Sequence, residues 1–377
     1  FEGLDAFCQS ENINRTLHNL YTLRGAKVRD GLKWSKYIDK AIQLFGKKAT
    51  VSFGSHHWPT WGNDTIVEYW TKQRDLYRFI HDQTLRRSNA GETSREIAEN
   101  LKLPESLDTA FYNRGYYGTL RHDIKAQYQL YFGWFDGNPA NLDPLAPDSA
   151  GKKYVEYMGS VSNILGMAVQ DYKDGEYRWV AEILSHVVFS GEGTATEKRH
   201  SRLLLADAYE QLGYQAESGP WRNFYLSGAL ELRMGKADSL PGLISDDMVH
   251  GMTTELLLDF LAMRYLGDQG ENGNKDYGFF LDIQNGGADE YAAILVSNGA
   301  VSTRIDLESS DEADNATTAK ITLSRATLEG IGLGKIGADD LDGLDGSQFS
   351  ITSNLNKFKD FLNNIDVTEH WFNIIEP

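Results

Sequence analysis

The spacing of apolar residues changes twice along this 377-residue chain. Residues 1–136 mix short β-type runs with amphipathic stretches, residues 149–244 carry an almost continuous helical pattern, and residues 245–377 alternate apolar and polar positions after one helix. A spacing of three to four residues is typical of helices and a spacing of two is typical of strands, which excludes one uniform architecture. The length also favours two or three domains. The sequence therefore predicts a multidomain protein with α/β and α+β parts.

The segment between the first two regions, residues 137–148, is rich in residues that interrupt regular structure. It holds three of the eight prolines together with Asn, Gly and Asp. Such a composition indicates a linker or an extended arm.

Three segments of the first region predict single elements. Residues 30–45 and 66–86 carry apolar side chains at helical spacing, which predicts two amphipathic helices. Residues 49–59, with the sequence ATVSFGSHHWP, favour a buried strand whose C-terminal end opens into a loop with a proline stop. Active-site side chains are often placed at such strand ends and loops.

The later regions carry patterns of their own. Residues 177–189 and 201–218 are typical of the two helices of a tetratricopeptide-like hairpin, with Gly213 predicted at a helix C-cap. Residues 252–266 predict a further helix. Alternating segments follow at 278–283, 291–300 and 319–331, and Asn298-Gly299 predicts a turn between two strands. This last region resembles the sterol-carrier-type fold, in which a five-stranded sheet and helices form an apolar pocket.

Charge and composition exclude some functions. The formal net charge of −17 opposes nucleic-acid binding, and no basic stripe with interleaved aromatic residues occurs. No apolar run approaches the roughly 18 residues of a spanning helix, so no membrane span is expected. The single cysteine, Cys8, rules out a disulfide within the chain and leaves the compartment open.

Two short segments concentrate the side chains that perform chemistry. Residues 10–30 contain a glutamate, a histidine, amides and three arginines, and residues 55–63 contain a histidine pair within SHHWPTWGN. Glutamate and histidine are ligands of borderline-soft divalent metals, and arginine is suited to sulfate or phosphate groups. Together they indicate a metal-dependent hydrolase that acts on an anionic ester.

Several long motifs then point to one family. TLHNLYTLRGAKVRD, SHHWPTWGN, FYNRGYYGT and PWRNFYLSGALELR, in this order, resemble segments of the alkylsulfatases of the metallo-β-lactamase superfamily. Members of that family are dizinc enzymes that hydrolyse alkyl sulfate esters such as dodecyl sulfate. The resemblance covers essentially the whole chain and includes the ending FNIIEP.

The resemblance implies a domain assignment. Residues 1–136 would be the C-terminal part of a metallo-β-lactamase αββα catalytic domain, 137–148 the linker, 149–244 a helical dimerisation domain and 245–377 the sterol-carrier-type domain. The zinc signature His-x-His-x-Asp-His of the family is absent from this chain. We therefore expect the chain to be the C-terminal part of a longer protein, whose missing N-terminal segment completes the catalytic domain.

The resemblance also assigns roles to individual side chains. Glu11 and His56 would be zinc ligands, and two zinc ions per subunit would be completed by ligands outside this chain. His18 would act as general acid on the leaving group. Arg24 and Asn19 would bind the sulfate, with Tyr117 as a weaker candidate for the substrate pocket. Because neighbours in an extended segment point to opposite sides, only one of the two adjacent histidines can face a given metal, so His57 would lie behind the ligands or pack near Trp58.

The implied function is zinc-dependent hydrolysis of an alkyl sulfate to alcohol and sulfate, with the alkyl tail held by apolar surface. A homodimer in the periplasm or outside the cell is also implied. Two alternatives remain open at this point. One is the same fold acting on another anionic or neutral ester, and the other is a non-catalytic protein that binds lipids or partners.

Overall fold

The computed structural model describes residues 1–235, 245–286, 289–305, 307–308, 318–366 and 372–375. The chain divides into two compact units. The first contains residues 1–236 and 373–377, and the second contains residues 237–372. No helix in the described ranges has the length and apolar character that crossing a membrane requires.

The first unit begins with a small sheet flanked by helices. The elements, in chain order, are β1 Ala6–Ser10, α1 Gly31–Phe45, β2 Val51–Gly54, β3 Thr60–Trp61, α2 Asn63–Ser88, α3 Ser94–Asn100, α4 Glu105–Asp108 and α5 Leu120–Phe132. Strands β1 and β2 are parallel, and β3 runs antiparallel to β2. The two predicted helices and the predicted strand are confirmed as α1, α2 and β2.

Helices α1 and α2 cover this sheet because each has a strongly apolar face. Asp30 caps α1, since its side chain accepts a hydrogen bond from the Lys33 amide, which satisfies one of the free donors at the helix start. Tyr69, Trp70 and Tyr77 on α2 are completely buried. These large side chains form the centre of the core that supports the sheet edge.

Five helices complete the first unit. They are α6 Pro147–Tyr157, α7 Val161–Lys173, α8 Tyr177–Ser190, α9 Ala195–Gln215 and α10 Gly219–Met234. Residues 137–146 contain one short 3-10 turn, Pro139–Asn141, before α6 starts at a proline. The prediction of Gly213 as a C-cap is wrong. Gly213 lies inside α9, where a Cβ atom would come within 2.9 Å of Leu226, so the glycine allows α10 to pack closely.

The second unit is an α+β fold. Its elements are α11 Asp246–His250, α12 Thr254–Met263, β4 Tyr277–Gln284, β5 Glu290–Ser297, β6 Ala300–Arg304, β7 Ala319–Ser324, α13 Arg325–Gly332, β8 Phe349–Ile351 and α14 Leu355–Asn363. Within the described residues the strands form one five-stranded sheet in the order β6-β5-β4-β7-β8. The predicted turn is confirmed, because Asn298 and Gly299 both have positive φ and join β5 to β6.

One face of this sheet packs on a large apolar core. Alternate residues of β4, among them Phe279 and Leu281, point into it, and Phe358 and Phe361 of α14 pack against them. The alternating segment 319–331 is only partly a strand. It ends as a strand at Ser324, whose side chain accepts from the Thr327 amide and starts α13.

Candidate metal centre

The parallel pair β1 and β2 determines where the site forms. Glu11 directly follows β1, and His56 follows β2 by two residues. The carboxyl ends of neighbouring parallel strands lie at the same edge of a sheet, so these two side chains are brought together there. The Nε2 atom of His56 lies 3.6 Å from one carboxylate oxygen of Glu11.

His18 joins them from the irregular segment after β1. Its Nε2 atom lies 3.7 Å from the other carboxylate oxygen of Glu11. The donor atoms of Glu11, His18 and His56 all lie within 4.8 Å of one another. Both gaps to the carboxylate are longer than a hydrogen bond, which leaves its oxygens available for a cation.

This donor set fits a divalent metal such as zinc, which takes imidazole nitrogens and carboxylate oxygens. The side chains of Glu11 and His56 are 49% and 48% exposed, whereas that of His18 is 1% exposed. The cluster therefore has one buried side chain, His18, and two side chains that reach solvent, Glu11 and His56. Such a half-open arrangement leaves room for further ligands and for a substrate.

The ring of His18 is held in one orientation. Its Nδ1–H donates to the carbonyl oxygen of Asn19 at 2.9 Å, so Nε2 is directed toward Glu11. The Tyr77 hydroxyl accepts from the His18 amide at 3.1 Å and donates to the His18 carbonyl at 3.3 Å. Trp34 packs on both the Tyr77 ring and the His18 ring, at 5.0 and 5.5 Å between centroids. The orientation therefore depends on side chains from α1 and α2.

The groups around His18 shift its pKa in opposite directions. Burial lowers the pKa of His18, and the charge of Arg29 acts in the same direction. The hydrogen bond to the Asn19 carbonyl and the carboxylate of Glu11 raise this pKa, with the net direction downward. Of the two effects that favour the protonated ring, the hydrogen bond to the Asn19 carbonyl is the larger and the charge of the Glu11 carboxylate is the smaller.

The two adjacent histidines contact different groups, but the segment is not extended as predicted, because the backbone at His57 lies in the left-handed region. His57 has a positive φ of 63°, and its Nε2 atom is 2.9 Å from the hydroxyl of Thr16. Its ring packs edge-on against Tyr116. Burial lowers the pKa of His57, with smaller contributions from the charges of His56 and Arg15.

Asn19 and Tyr117 lie beside the cluster but in different ways. The Tyr117 ring stands edge-on to the His18 ring at 4.8 Å. The Asn19 amide is buried, donates to the Tyr117 carbonyl at 3.2 Å and accepts from Arg29 at 2.9 Å. A Cβ atom at Gly118 would come within 2.8 Å of the Asn19 backbone, so glycine is needed for this close approach. Substrate contacts by Asn19 and Tyr117 stay predictions.

Arg24 is exposed and forms no hydrogen bond, ion pair or ring contact with any described residue. Its role in sulfate binding stays a prediction. Sequence reasoning missed two residues that organise the site, Arg29 and Tyr77. Arg29 stood in the same arginine-rich segment, but nothing in the sequence separated it from Arg24. Tyr77 carried no local signal, because its role depends on how α2 packs.

Comparisons with known proteins give a consistent result. A family model described as "Alkyl sulfatase dimerisation" matches residues 93–235, and one described as "Alkyl sulfatase C-terminal" matches residues 243–377. The first match starts well before the helical region predicted from residue 149 onward, whose boundaries stay predictions.

Curated relatives match almost the whole chain. A linear primary-alkylsulfatase from Pseudomonas sp is 43% identical over 98% of this chain and 52% of its own length. The alkyl/aryl-sulfatase BDS1 from Saccharomyces cerevisiae is 42% identical over 98% of this chain and 54% of its own length. The chain thus spans about half the length of the curated relatives it matches.

A solved structure has the same fold. The stereoselective inverting sec-alkylsulfatase Pisa1 from Pseudomonas sp. matches with a TM-score of 0.88 and 33% identity. The match covers 100% of this chain and 57% of the solved chain. The likeness therefore extends over both compact units.

Proposed function

Because the chain belongs to the alkylsulfatase family, we propose that the protein hydrolyses alkyl sulfate esters to alcohol and sulfate. The observation that carries the proposal is the convergence of Glu11, His18 and His56 at one sheet edge. We further propose that this edge belongs to a metallo-β-lactamase-type catalytic domain that works with zinc. The close relatives named alkylsulfatases support the reaction class, and the donor set supports the metal.

In this proposal Glu11 and His56 hold zinc, and the remaining ligands of a two-zinc centre lie outside this chain. Zinc, when bound, lowers the pKa of water toward 7 and so supplies a nucleophile at neutral pH. The anionic Glu11 balances part of the metal charge. The half-exposed positions of Glu11 and His56 leave the solvent side of the cluster open to the substrate.

His18 is the proton donor in this scheme. Hydrolysis adds the elements of water across the ester, and the bridging ester oxygen gains negative charge when its bond to carbon or to sulfur breaks, so a general acid would protonate this oxygen. The Nε2 atom of His18 faces the cluster while Nδ1 is fixed on the Asn19 carbonyl, so a proton on Nε2 would point at the reacting group. Arg24, Asn19 and Tyr117 would contact the sulfate group.

The alkyl tail would rest on apolar surface offered by residues 245–377, and residues 93–235 would pair two subunits. Burial of each methylene contributes about 0.8 kcal/mol. The apparent Michaelis constant is therefore expected to fall from hexyl to dodecyl sulfate. A flat series would contradict the role of an apolar surface without contradicting the reaction itself.

The decisive experiment compares the two neighbouring histidines. His56→Ala is expected to lower both zinc content and turnover of decyl sulfate, because it removes a ligand. His57→Ala is the matched control, since this ring bonds Thr16 and does not belong to the donor cluster. Zinc is measured by elemental analysis after dialysis, and turnover by release of sulfate. Equal zinc content in the two variants would overturn the assignment of the metal site.

The role of His18 has its own test. His18→Gln is expected to keep the zinc but lose turnover by about a hundredfold or more, the usual range for a lost general acid. The loss should be smaller for esters with good leaving groups, such as aryl sulfates. A variant that loses zinc instead would show that His18 is a third metal ligand and not the proton donor.

A further inference from the structure

A second group of charged side chains lies in the first unit, apart from the metal cluster. Arg95 of α3, Arg121 and Lys125 of α5 and Arg178 of α8 line one cavity of about 540 Å³. This volume is within the range of about 300–1,000 Å³ that is typical of small-molecule sites. Four cations around one cavity are unusual in a chain whose net charge is −17.

The carboxylates nearby do not balance these cations. Glu99 pairs with both Arg121, at 2.6 Å, and Arg178, at 3.1 Å. Lys125 and Arg95 form no salt bridge with a residue that the structure describes. The other acidic neighbours are Glu182, which lines the cavity, and Asp136, whose pKa is lowered in small part by Arg95.

Lys125 is repelled by the three neighbouring arginines. Part of its side chain reaches solvent, yet partial burial lowers the pKa of Lys125, and the charges of Arg121, Arg95 and Arg178 lower it further. The Lys125 ammonium also lies 5.4 Å above the ring of Trp221. An anion in the cavity would relieve the repulsion among these cations.

The same cations border an apolar wall. A second cavity of about 420 Å³ shares Arg121, Lys125 and Arg178 with the first. Its other side is formed mainly by apolar and aromatic side chains, namely Leu23, Leu212, Trp221, Phe224 and Tyr225. Phe224 is 49% exposed, so its ring offers apolar surface that the described protein does not cover.

We propose that these two joined cavities, the α3–α5–α8 cleft, bind an amphiphilic organic anion. The oxyanion head would lie between Arg95 and Lys125, and the apolar body would lie along Trp221 and Phe224. Arginine and lysine donate charge-assisted hydrogen bonds to such a head, and the aromatic wall removes the body from water. The cleft uses none of the metal-site residues, so the inference is independent of the proposed function.

Calorimetry with decane-1-sulfonate tests this inference on the protein that carries this chain. The probe has a carbon–sulfur bond, so it is not a sulfate ester that the protein could hydrolyse. We expect saturable binding that Lys125→Gln and Arg95→Gln each weaken by about tenfold, the size of one charge-assisted hydrogen bond. Lys152→Gln on α6 is the matched control and should bind like the unaltered protein.

Two further comparisons make the test decisive. Decyl maltoside, which has no charge, should bind more weakly and without sensitivity to Lys125→Gln. Binding should persist in Glu11→Gln, because the metal cluster is a different site. Loss of binding in Glu11→Gln, equal affinity in Lys125→Gln, or absence of saturable heat would each overturn the inference. Circular dichroism confirms that each variant is folded before titration.

Discussion

At the candidate metal centre, the backbone of Ser10 passes close to Gly54, the last residue of β2. A Cβ atom there would lie 2.3 Å from the Ser10 carbonyl oxygen and 3.1 Å from Cγ of Gln9. Real Cβ atoms essentially never come within 3.0 Å of another heavy atom. In Gly54→Ala the strand ends must therefore separate by about 0.7 Å, which is the difference between 3.0 Å and 2.3 Å. The φ of Gly54 is not in the left-handed region, so the contact alone causes the strain.

The expected loss in the free energy of unfolding has two contributions. Forcing an extra carbon into a packed contact costs about 1–3 kcal/mol. The Ser55 amide also loses its hydrogen bond to the Ser10 carbonyl, now 3.3 Å long, which costs about 0.5–1.5 kcal/mol. We expect Gly54→Ala to lower the free energy of unfolding by about 2–4 kcal/mol.

Gly54→Ala should also disturb the candidate metal centre. Ser10 precedes Glu11 directly, and Gly54 precedes His56 by two residues, so separating the strand ends widens the 3.6 Å gap between these two proposed zinc ligands. Zinc affinity should fall together with stability. A chelator competition assay measures the first quantity, and urea unfolding followed by tryptophan fluorescence measures the second.

Gly166→Ala is the matched control. Gly166 lies inside α7, and a Cβ atom there meets nothing within 4 Å. This variant should be as stable as the unaltered protein or more stable by up to about 1 kcal/mol, since alanine is the better helix former. The reasoning is refuted if Gly54→Ala unfolds within about 0.5 kcal/mol of the unaltered protein and keeps its zinc affinity.

Three further predictions concern buried side chains. Tyr77→Phe removes the hydroxyl that bonds both the amide and the carbonyl of His18, so unfolding in urea should show a loss of about 1–3 kcal/mol; an unchanged midpoint would contradict the role of this hydroxyl. Burial raises the pKa of Asp123, so its contribution to stability is full below the unfolded pKa of about 4 and is lost as pH rises through the folded pKa. Asp123→Asn should therefore gain stability relative to the unaltered protein as pH rises from 4 to 9, and parallel melting curves across this range would argue against a buried acid. Phe358→Ala empties the centre of the core of the second unit, where its ring packs on Phe279 and Phe349, and should cost about 3–5 kcal/mol, visible as faster hydrogen exchange in β4; unchanged exchange would mean that the core closes over the missing ring.

The parts of the fold that the sequence predicted have local causes. The helix that starts after Asp30 has a cap and an apolar face within its own residues, and the Asn298-Gly299 turn requires the positive φ that these two residues tolerate. Gly213 shows the limit of such reasoning. A glycine near a helix end is often a cap, but here Leu226 from the next helix occupies the space, which no local pattern reveals.

The candidate site also contains one part that the sequence predicts and one part that it does not. The pairing of Glu11 with His56 was predictable from a strand end and from the family resemblance. The segment between β1 and α1 was not, because residues 13–20 lack regular structure and are nevertheless mostly buried. Their backbone is held by non-local partners, such as the Leu17 amide on the Arg114 carbonyl and the Leu20 amide on Asp123. Polar composition alone indicated only a cluster of reactive side chains.

The contrast between His18 and its two companions has a consequence for recognition. His18 cannot turn its ring without breaking the bond to the Asn19 carbonyl and leaving the packing against Trp34. Glu11 and His56 have water on one side and can adjust by rotating about their own bonds. The cluster therefore combines one side chain in a fixed position, His18, with two side chains that can change rotamer. Molecules of different width that enter the cluster would meet the same imidazole nitrogen, and Glu11 and His56 would adjust to the difference in width.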